Sequence, residues 1–140
     1  MLVKDCMTKD PITISAHEDV HYGFYLLKKH NIRQLPVTNN GYILGIITER
    51  DLRMVIEKEY GINIESTISK NLHTITEYDA IETAAKIIHD NKYNSLPVVD
   101  KGGQLVGIVT VTDVIEGLLN IINNEKHVKV KPQIPDKNFD

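Results

Sequence analysis

The chain repeats itself, which restricts it to architectures built from two copies of one small unit. Leu35-Pro36-Val37 recurs as Leu96-Pro97-Val98, and Gly45-Ile46-Ile47-Thr48-Glu49-Arg50-Asp51 recurs as Gly107-Ile108-Val109-Thr110-Val111-Thr112-Asp113. Thr13-Ile14 returns as Thr74-Ile75, so the offset is 61 residues up to the Pro-Val strand and 62 after it. The extra residue belongs to the second turn, Asp100-Lys101-Gly102-Gly103-Gln104, which is longer than the turn around Asn39-Asn40-Gly41.

Each copy has the same order of elements. A short strand, Ile12-Thr13-Ile14 or Thr74-Ile75, leads to a Ser/Thr-x-x-acid pattern, Ser15 to Glu18 or Thr76 to Asp79, which predicts a capping box at a helix entry. The helices that follow carry apolar residues at helical spacing: Val20, Phe24 and Leu27, then Ile81, Ala84, Ala85 and Ile88. Tyr22, Phe24, Tyr25 and Tyr93 are expected in the core or between the repeats. Two strands with a tight turn come next, Gln34 to Val37 with Ile43 to Ile47, and Ser95 to Val99 with Leu105 to Val109. Second helices close the units at about Glu49 to Lys58 and about Val111 to Ile122.

The fold class is therefore α/β (α+β), with two tandem β-α-β-β-α repeats packed as a pseudo-two-fold pair. Residues 1–60 form the first repeat, 61–126 the second, and 127–140 a flexible tail rich in lysine and proline. The join is placed at Glu59 to Ser66, where Gly61 and Asn63 break the periodicity. A unit of this size buries too little surface to be stable alone, so the two are expected to pack through their sheets around one shared core.

Composition narrows the function. A net charge of -3 gives no field to attract nucleic acid or anionic lipid. No run approaches the ~18 apolar residues of a membrane span, and the N-terminus lacks the apolar stretch of a secretion signal. Cys6 is the only cysteine, which rules out an intrachain disulfide and suits a reducing, cytoplasmic compartment. Six histidines show no metal spacing; His17 and His21 are four apart without a third ligand nearby. Neither a Gly-x-x-x-x-Gly-Lys loop nor a Gly-x-Gly-x-x-Gly motif is present, which removes the usual support for an enzyme acting on nucleotides.

The paired units, each with Leu-Pro-Val before a hairpin and Gly-h-h-Thr-x-x-Asp after it, resemble the CBS domain family, and two in tandem resemble a Bateman module. The opening Val3-Lys4-Asp5-Cys6-Met7-Thr8 also looks like a lead-in found before such repeats; its counterpart, Ile64-Glu65-Ser66-Thr67-Ile68-Ser69, lacks the methionine. The resemblance covers about Leu2 to Ile122. It implies a non-catalytic sensor that binds AMP, ADP, ATP or an S-adenosylmethionine-like ligand in clefts between the repeats, with no obligatory cofactor. It further implies a homodimer assembled through helices, and a separate client protein. By the same resemblance, Asp51 and Asp113 meet ribose hydroxyls, Thr48 and Thr110 meet ribose or phosphate, and Ile12, Thr13, His73 and Thr74 frame adenine.

Elementary chemistry is compatible with these roles. A carboxylate accepts both hydrogens of a ribose diol. Thr48 and Thr110 lie where a strand turns into a helix, so free N–H groups and the helix dipole favour a phosphate there. Arg50 adds a charge-assisted partner in the first repeat, where the second has Val111. The competing reading is that Thr-x-x-Asp is only a helix cap. Two other functions stay open at this point: a scaffold of the same fold with empty clefts, and a hydrolase using Asp51 or Asp113 as base.

Overall fold

The computed structural model describes residues 1–56, 62–68 and 72–130, with side chains to residue 125. Short elements open the chain: α1 (Val3–Cys6), β1 (Thr8–Lys9) and β2 (Ile14–Ser15). Then follow α2 (Val20–Lys29), β3 (Gln34–Asn39), β4 (Tyr42–Thr48) and α3 (Glu49–Ile56). A 3-10 turn at Ile64–Thr67 leads into β5 (Ile75–Thr76), α4 (Ile81–Asn91), β6 (Ser95–Val99), β7 (Leu105–Thr110) and α5 (Val111–Val130). The β-α-β-β-α order thus occurs twice. Part of the sequence-level join, residues 59–61, and the tail beyond Val130 lie outside the described residues. The last helix runs past the expected stop at Ile122, because no glycine or proline interrupts the chain before Pro132.

Each repeat builds one sheet, ordered β2-β3-β4 in the first and β1-β7-β6-β5 in the second. The first strand of each unit pairs parallel with the Leu-Pro-Val strand, which pairs antiparallel with the next. Registers correspond residue for residue: Gln34 faces Thr48 as Ser95 faces Thr110, and Leu35 faces Ile47 as Leu96 faces Val109. Asn40 and Gly41 take the positive φ that the tight turn requires, at 52° and 85°. In the longer second turn the Asp100 carboxylate accepts the N–H groups of Gly102 and Gln104, at 2.9 and 3.0 Å. The hairpin tips meet across the pseudo-two-fold, where the Leu105 N–H donates to the Gly41 carbonyl at 3.0 Å.

The expected single core is two. One cluster gathers Ile14, Val20, Leu27, Leu35, Val37, Ile47 and Leu52; the other gathers Ile75, Ile81, Ile88, Leu96, Val98, Val109 and Val114. What joins the repeats is an exchange of lead-ins. Val3, at the start of the chain, is fully buried in the second cluster, and Ile64 is fully buried in the first. Backbone bonds secure both crossings. The Val20 N–H donates to Ile62 O and the Ile64 N–H to Glu18 O, at 3.1 and 3.0 Å; the Ile81 N–H donates to Met1 O and the Val3 N–H to Asp79 O, at 3.1 and 2.9 Å. Each borrowed segment therefore satisfies the first N–H of the partner repeat's helix and buries a branched side chain, contributing about 1.5–3 kcal/mol apiece. Gly107 admits the crossing of β1: a Cβ there would lie 2.7 Å from Met7 Sδ and 2.9 Å from the Thr8 carbonyl.

Two local expectations change. The Ser15–Glu18 and Thr76–Asp79 patterns brace turns one step before the helices instead of capping them. Asp79 takes the Thr76 N–H at 2.8 Å, while the cap of α2 is Asp19, whose carboxylate accepts the His21 N–H at 2.6 Å. Tyr22 and Tyr25 stack on each other at 6.0 Å, both about half exposed, and are not core residues. Val20, Gly23, Leu26 and Leu27 occupy the buried face of α2, and the 3.6-residue period turns positions 22 and 25 away from it. Phe24 packs at the edge of the first core and Tyr93 at the edge of the second.

Candidate functional site

β4 and β7 each end in a threonine that begins the next helix. In the first repeat the Thr48 N–H donates to Asp51 Oδ2 and the Asp51 N–H to Thr48 Oγ1, both at 3.2 Å. In the second, the Thr110 N–H donates to Asp113 Oδ2 at 3.0 Å and the Asp113 N–H to Thr110 Oγ1 at 3.1 Å. These are reciprocal capping boxes. The first helical N–H of each is taken as well, Glu49 by the Arg33 carbonyl at 3.2 Å and Val111 by the Asn94 carbonyl at 3.1 Å. Of the four N–H groups at each helix entry, only the second helical position stays open among the described residues: Arg50 in α3 and Thr112 in α5.

Both of those positions border one cleft of about 850 Å³ between the repeats. Thr8, Asp10, Pro11 and Ile12 of the N-terminal lead-in form one part of its wall. Thr48, Glu49 and Arg50 from the α3 entry, and Thr110, Val111 and Thr112 from the α5 entry, form another, with Arg33, Gln34 and Asn94 between them. A second, smaller cleft of about 250 Å³ is bordered by Leu72, His73, Lys92, Tyr93 and Ser95 of the second repeat, and by Gln34, Gly45, Ile46 and Thr48 of the first.

The clefts are thus composite. Ile12 from the first repeat shares the larger one with Thr110 from the second, and His73 from the second shares the smaller one with Thr48 from the first. Thr13 and Thr74 are exposed and border neither cleft. Asp51 and Asp113 are held in their caps and are likewise not among the bordering residues. Asp113 also lies 3.5 Å from Thr8 Oγ1, which ties the second cap to the exchanged N-terminal segment. His73 sets its ring edge-on to Tyr93, with Nδ1 3.4 Å from the phenol oxygen.

Sequence reasoning missed Thr8, Asp10, Arg33, Gln34 and Asn94. The last three precede or open a Leu-Pro-Val strand, and a run of polar residues entering a buried strand was the available signal. Gln34 borders both clefts, and its Oε1 is buried without a hydrogen-bond partner among the described residues. Both acids adjacent to Arg50 in the chain are already occupied, Asp51 by the Thr48 cap and Glu49 by two cations. Glu49 accepts Arg53 at 2.7 Å and sits 3.4 Å from Lys28 Nζ, contacts that lower its pKa, the Arg53 hydrogen bond most of all. Burial, followed by the charges of Asp113 and Asp5, raises the Cys6 thiol pKa, which keeps it protonated and weakly nucleophilic. Among the described residues no group of three or more His, Cys, Asp or Glu is placed to hold a metal, and no helix is long and apolar enough to cross a membrane.

The CBS domain model matches residues 3–58 and 64–120, nearly the whole described chain. The chain belongs to the CBS domain family. A CBS domain-containing protein of Dictyostelium discoideum is 32% identical over 136 residues, covering 87% of this CBS pair and 94% of that protein. Inosine-5'-monophosphate dehydrogenase of Thermoplasma acidophilum is 34% identical over 107 residues, 76% of this chain but 21% of the enzyme, so the likeness is confined to a small part of it. Among solved structures, CBSX2 in complex with AMP aligns with a TM-score of 0.76 at 26% identity, covering 86% of this chain and 97% of that one. The CBS domain pair of protein MJ0100, in complex with 5'-methylthioadenosine and S-adenosyl-L-methionine, aligns with a TM-score of 0.76 at 32% identity over 86% and 96%.

Proposed function

We propose that this CBS pair is a non-catalytic cytoplasmic sensor that binds an adenosine-containing ligand between its repeats and reports occupancy to a separate client protein. The observation that carries the reading is the composite cleft. A wall from the lead-in of one repeat faces a threonine-capped helix entry of the other, in a fold whose solved relatives hold AMP or 5'-methylthioadenosine with S-adenosylmethionine. Ile12 at the larger cleft and His73 at the smaller one frame the base, and Thr13 and Thr74, next to them in the chain, lie outside both cleft walls. Thr110 with Asp113, and Thr48 with Asp51, take the ribose. Asp113 gives one oxygen to the Thr110 N–H, and a carboxylate offers about four lone-pair sites, so its cap and a ribose diol are compatible.

Signalling follows only if the ligand binds two packings of the repeats with different affinity. The exchanged lead-ins supply an element to bias, since a ligand spanning Thr8 and Thr110 touches the N-terminus and the second repeat at once. Dimerisation is assigned to the helical face, where Ile115, Leu119 and Ile122 of α5 lie at i, i+4 and i+7, each at least half exposed.

The test is thermal unfolding with AMP, ADP, ATP and S-adenosylmethionine, comparing wild type with Asp51→Ala and Asp113→Ala. A ligand at 100 times its Kd adds about 2.7 kcal/mol, a shift of several degrees for a chain of this size. Loss of the shift in one variant names the cleft. A cooperative melt that no ligand moves would return the protein to the scaffold reading, with the four Thr and Asp residues serving only as caps.

A further inference from the structure

Resting on the adenosine-ligand reading, we infer that the larger cleft selects its ligand by phosphate number, favouring adenosine di- and triphosphates over AMP and over neutral or cationic adenosyl compounds. The cationic end of the cleft is built by local geometry. Gln34 pairs with Thr48 in register, and the Arg33 carbonyl accepts the Glu49 N–H, so Arg33 and Arg50 spring from neighbouring points of one corner. Both side chains border the cleft and are exposed. Neither takes part in an ion pair among the described residues, whereas Arg53 and Lys28 are both engaged by Glu49.

The carboxylate beside these arginines is thus already committed, and Asp10 is the other acid bordering the cleft. Arg50 and Thr112, whose backbone N–H groups are open among the described residues, border the same space, with the hydroxyls of Thr110 and Thr112 as further donors. The wall at Pro11, Ile12 and Ile108 is apolar and suits a base. A ligand laid between them directs its anionic end at two guanidinium groups, the side chains best shaped to grip phosphate oxygens in pairs.

Size points the same way. The cleft, at about 850 Å³, lies inside the roughly 300–1,000 Å³ typical of ligand pockets. The smaller cleft, at about 250 Å³, falls below that range and has Lys92 and His73 in place of the two arginines. S-adenosylmethionine offers these arginines one carboxylate against a sulfonium and an ammonium, a net positive charge, and 5'-methylthioadenosine brings no charge at all.

Titration calorimetry on the full chain, with EDTA present, compares ATP, ADP, AMP, 5'-methylthioadenosine and S-adenosylmethionine. The variants are Arg33→Gln, Arg50→Gln, Arg50→Lys and, as a charge control on the exposed surface of α4, Lys86→Gln. Unliganded melting of each variant checks that it is folded. The expected order is ATP, ADP, AMP, with ATP at least roughly tenfold tighter than AMP and that gap narrowing as salt screens the charges. Arg33→Gln and Arg50→Gln should each weaken ATP by about tenfold while moving AMP by less than about threefold; Arg50→Lys should recover part of the loss. Lys86→Gln should leave the order intact. S-adenosylmethionine, 5'-methylthioadenosine or AMP binding as tightly as ATP would overturn the inference and leave the adenosine reading standing. So would arginine variants that weaken every ligand equally. Failure of all five ligands to bind would overturn both.

Discussion

Ile64 precedes the first strand of the second repeat in sequence, yet its side chain completes the core of the first, so Ile64→Ala tests the exchange of lead-ins directly. The substitution removes three buried carbons, worth about 0.8 kcal/mol each in transfer alone. A cavity term adds to this, because Leu35, Ile47 and Leu52 around the site are themselves fully buried and held in sheet or helix. The expected loss is therefore about 3–4 kcal/mol, within the range for Ile→Ala in cores. Urea unfolding followed by circular dichroism should show the midpoint falling by more than about 1 M with the slope unchanged. The structure also specifies a partial rescue. A Cβ on Gly23 would meet Ile64 Cδ1 at 3.0 Å and Leu52 Cδ1 at 3.2 Å. With Ile64 truncated, Gly23→Ala fills part of the space and gains roughly 1 kcal/mol of helix propensity; in the wild type the tight contact offsets that gain. A loss below about 1 kcal/mol, the scale of a surface position, would refute the crossing, as would strict additivity of the two substitutions.

Two further outcomes are expected. The Asp19 pKa is lowered, first by the His21 N–H and then by the His21 ring. Its folded value lies below its unfolded one, so its contribution is complete above the ordinary carboxylate range of about 4 and disappears as pH falls through the folded value. Asp19→Asn should keep the cap and flatten the acid limb of stability against pH; an unchanged limb in urea midpoints from neutral to acid pH would contradict the assignment. Leu119→Glu, on the exposed face of α5, should convert a dimer to a monomer in sedimentation equilibrium without lowering the melting point of the monomer, whereas a wild type that is already monomeric removes the dimer proposal.

Much of the fold was legible because the repeat was. Two copies of Leu-Pro-Val and Gly-h-h-Thr-x-x-Asp locate β3, β4, β6 and β7 within a residue or two, and binary patterning identifies α2 and α4. The short strands were read one or two residues early. β2 and β5 contain only two paired residues each, too few for alternation to mark a boundary. The helix entries were displaced for a related reason. Ser15-x-x-Glu18 and Thr48-x-x-Asp51 present the same local pattern, and a turn and a cap satisfy it equally well.

Of the residues the sequence pointed to, Ile12, Thr48, Arg50, Thr110 and His73 border a cleft, whereas Thr13, Asp51, Thr74 and Asp113 do not. The sequence could not show how the bordering residues combine, nor that Arg33, Gln34 and Thr8 join them. Chain order alone determined the unit, its duplication, the residues capping each second helix and the absence of an intrachain disulfide, because each is a matter of local pattern or count. Tertiary structure decided that Met1 to Lys9 pack on the second repeat and Ile62 to Thr67 on the first. It also decided that Ile12 and Thr110 border one cleft, together with Arg33 and Arg50, two arginines without an ion pair among the described residues. These pairings depend on burying branched side chains and backbone donors across the pseudo-two-fold, which no spacing along the chain records.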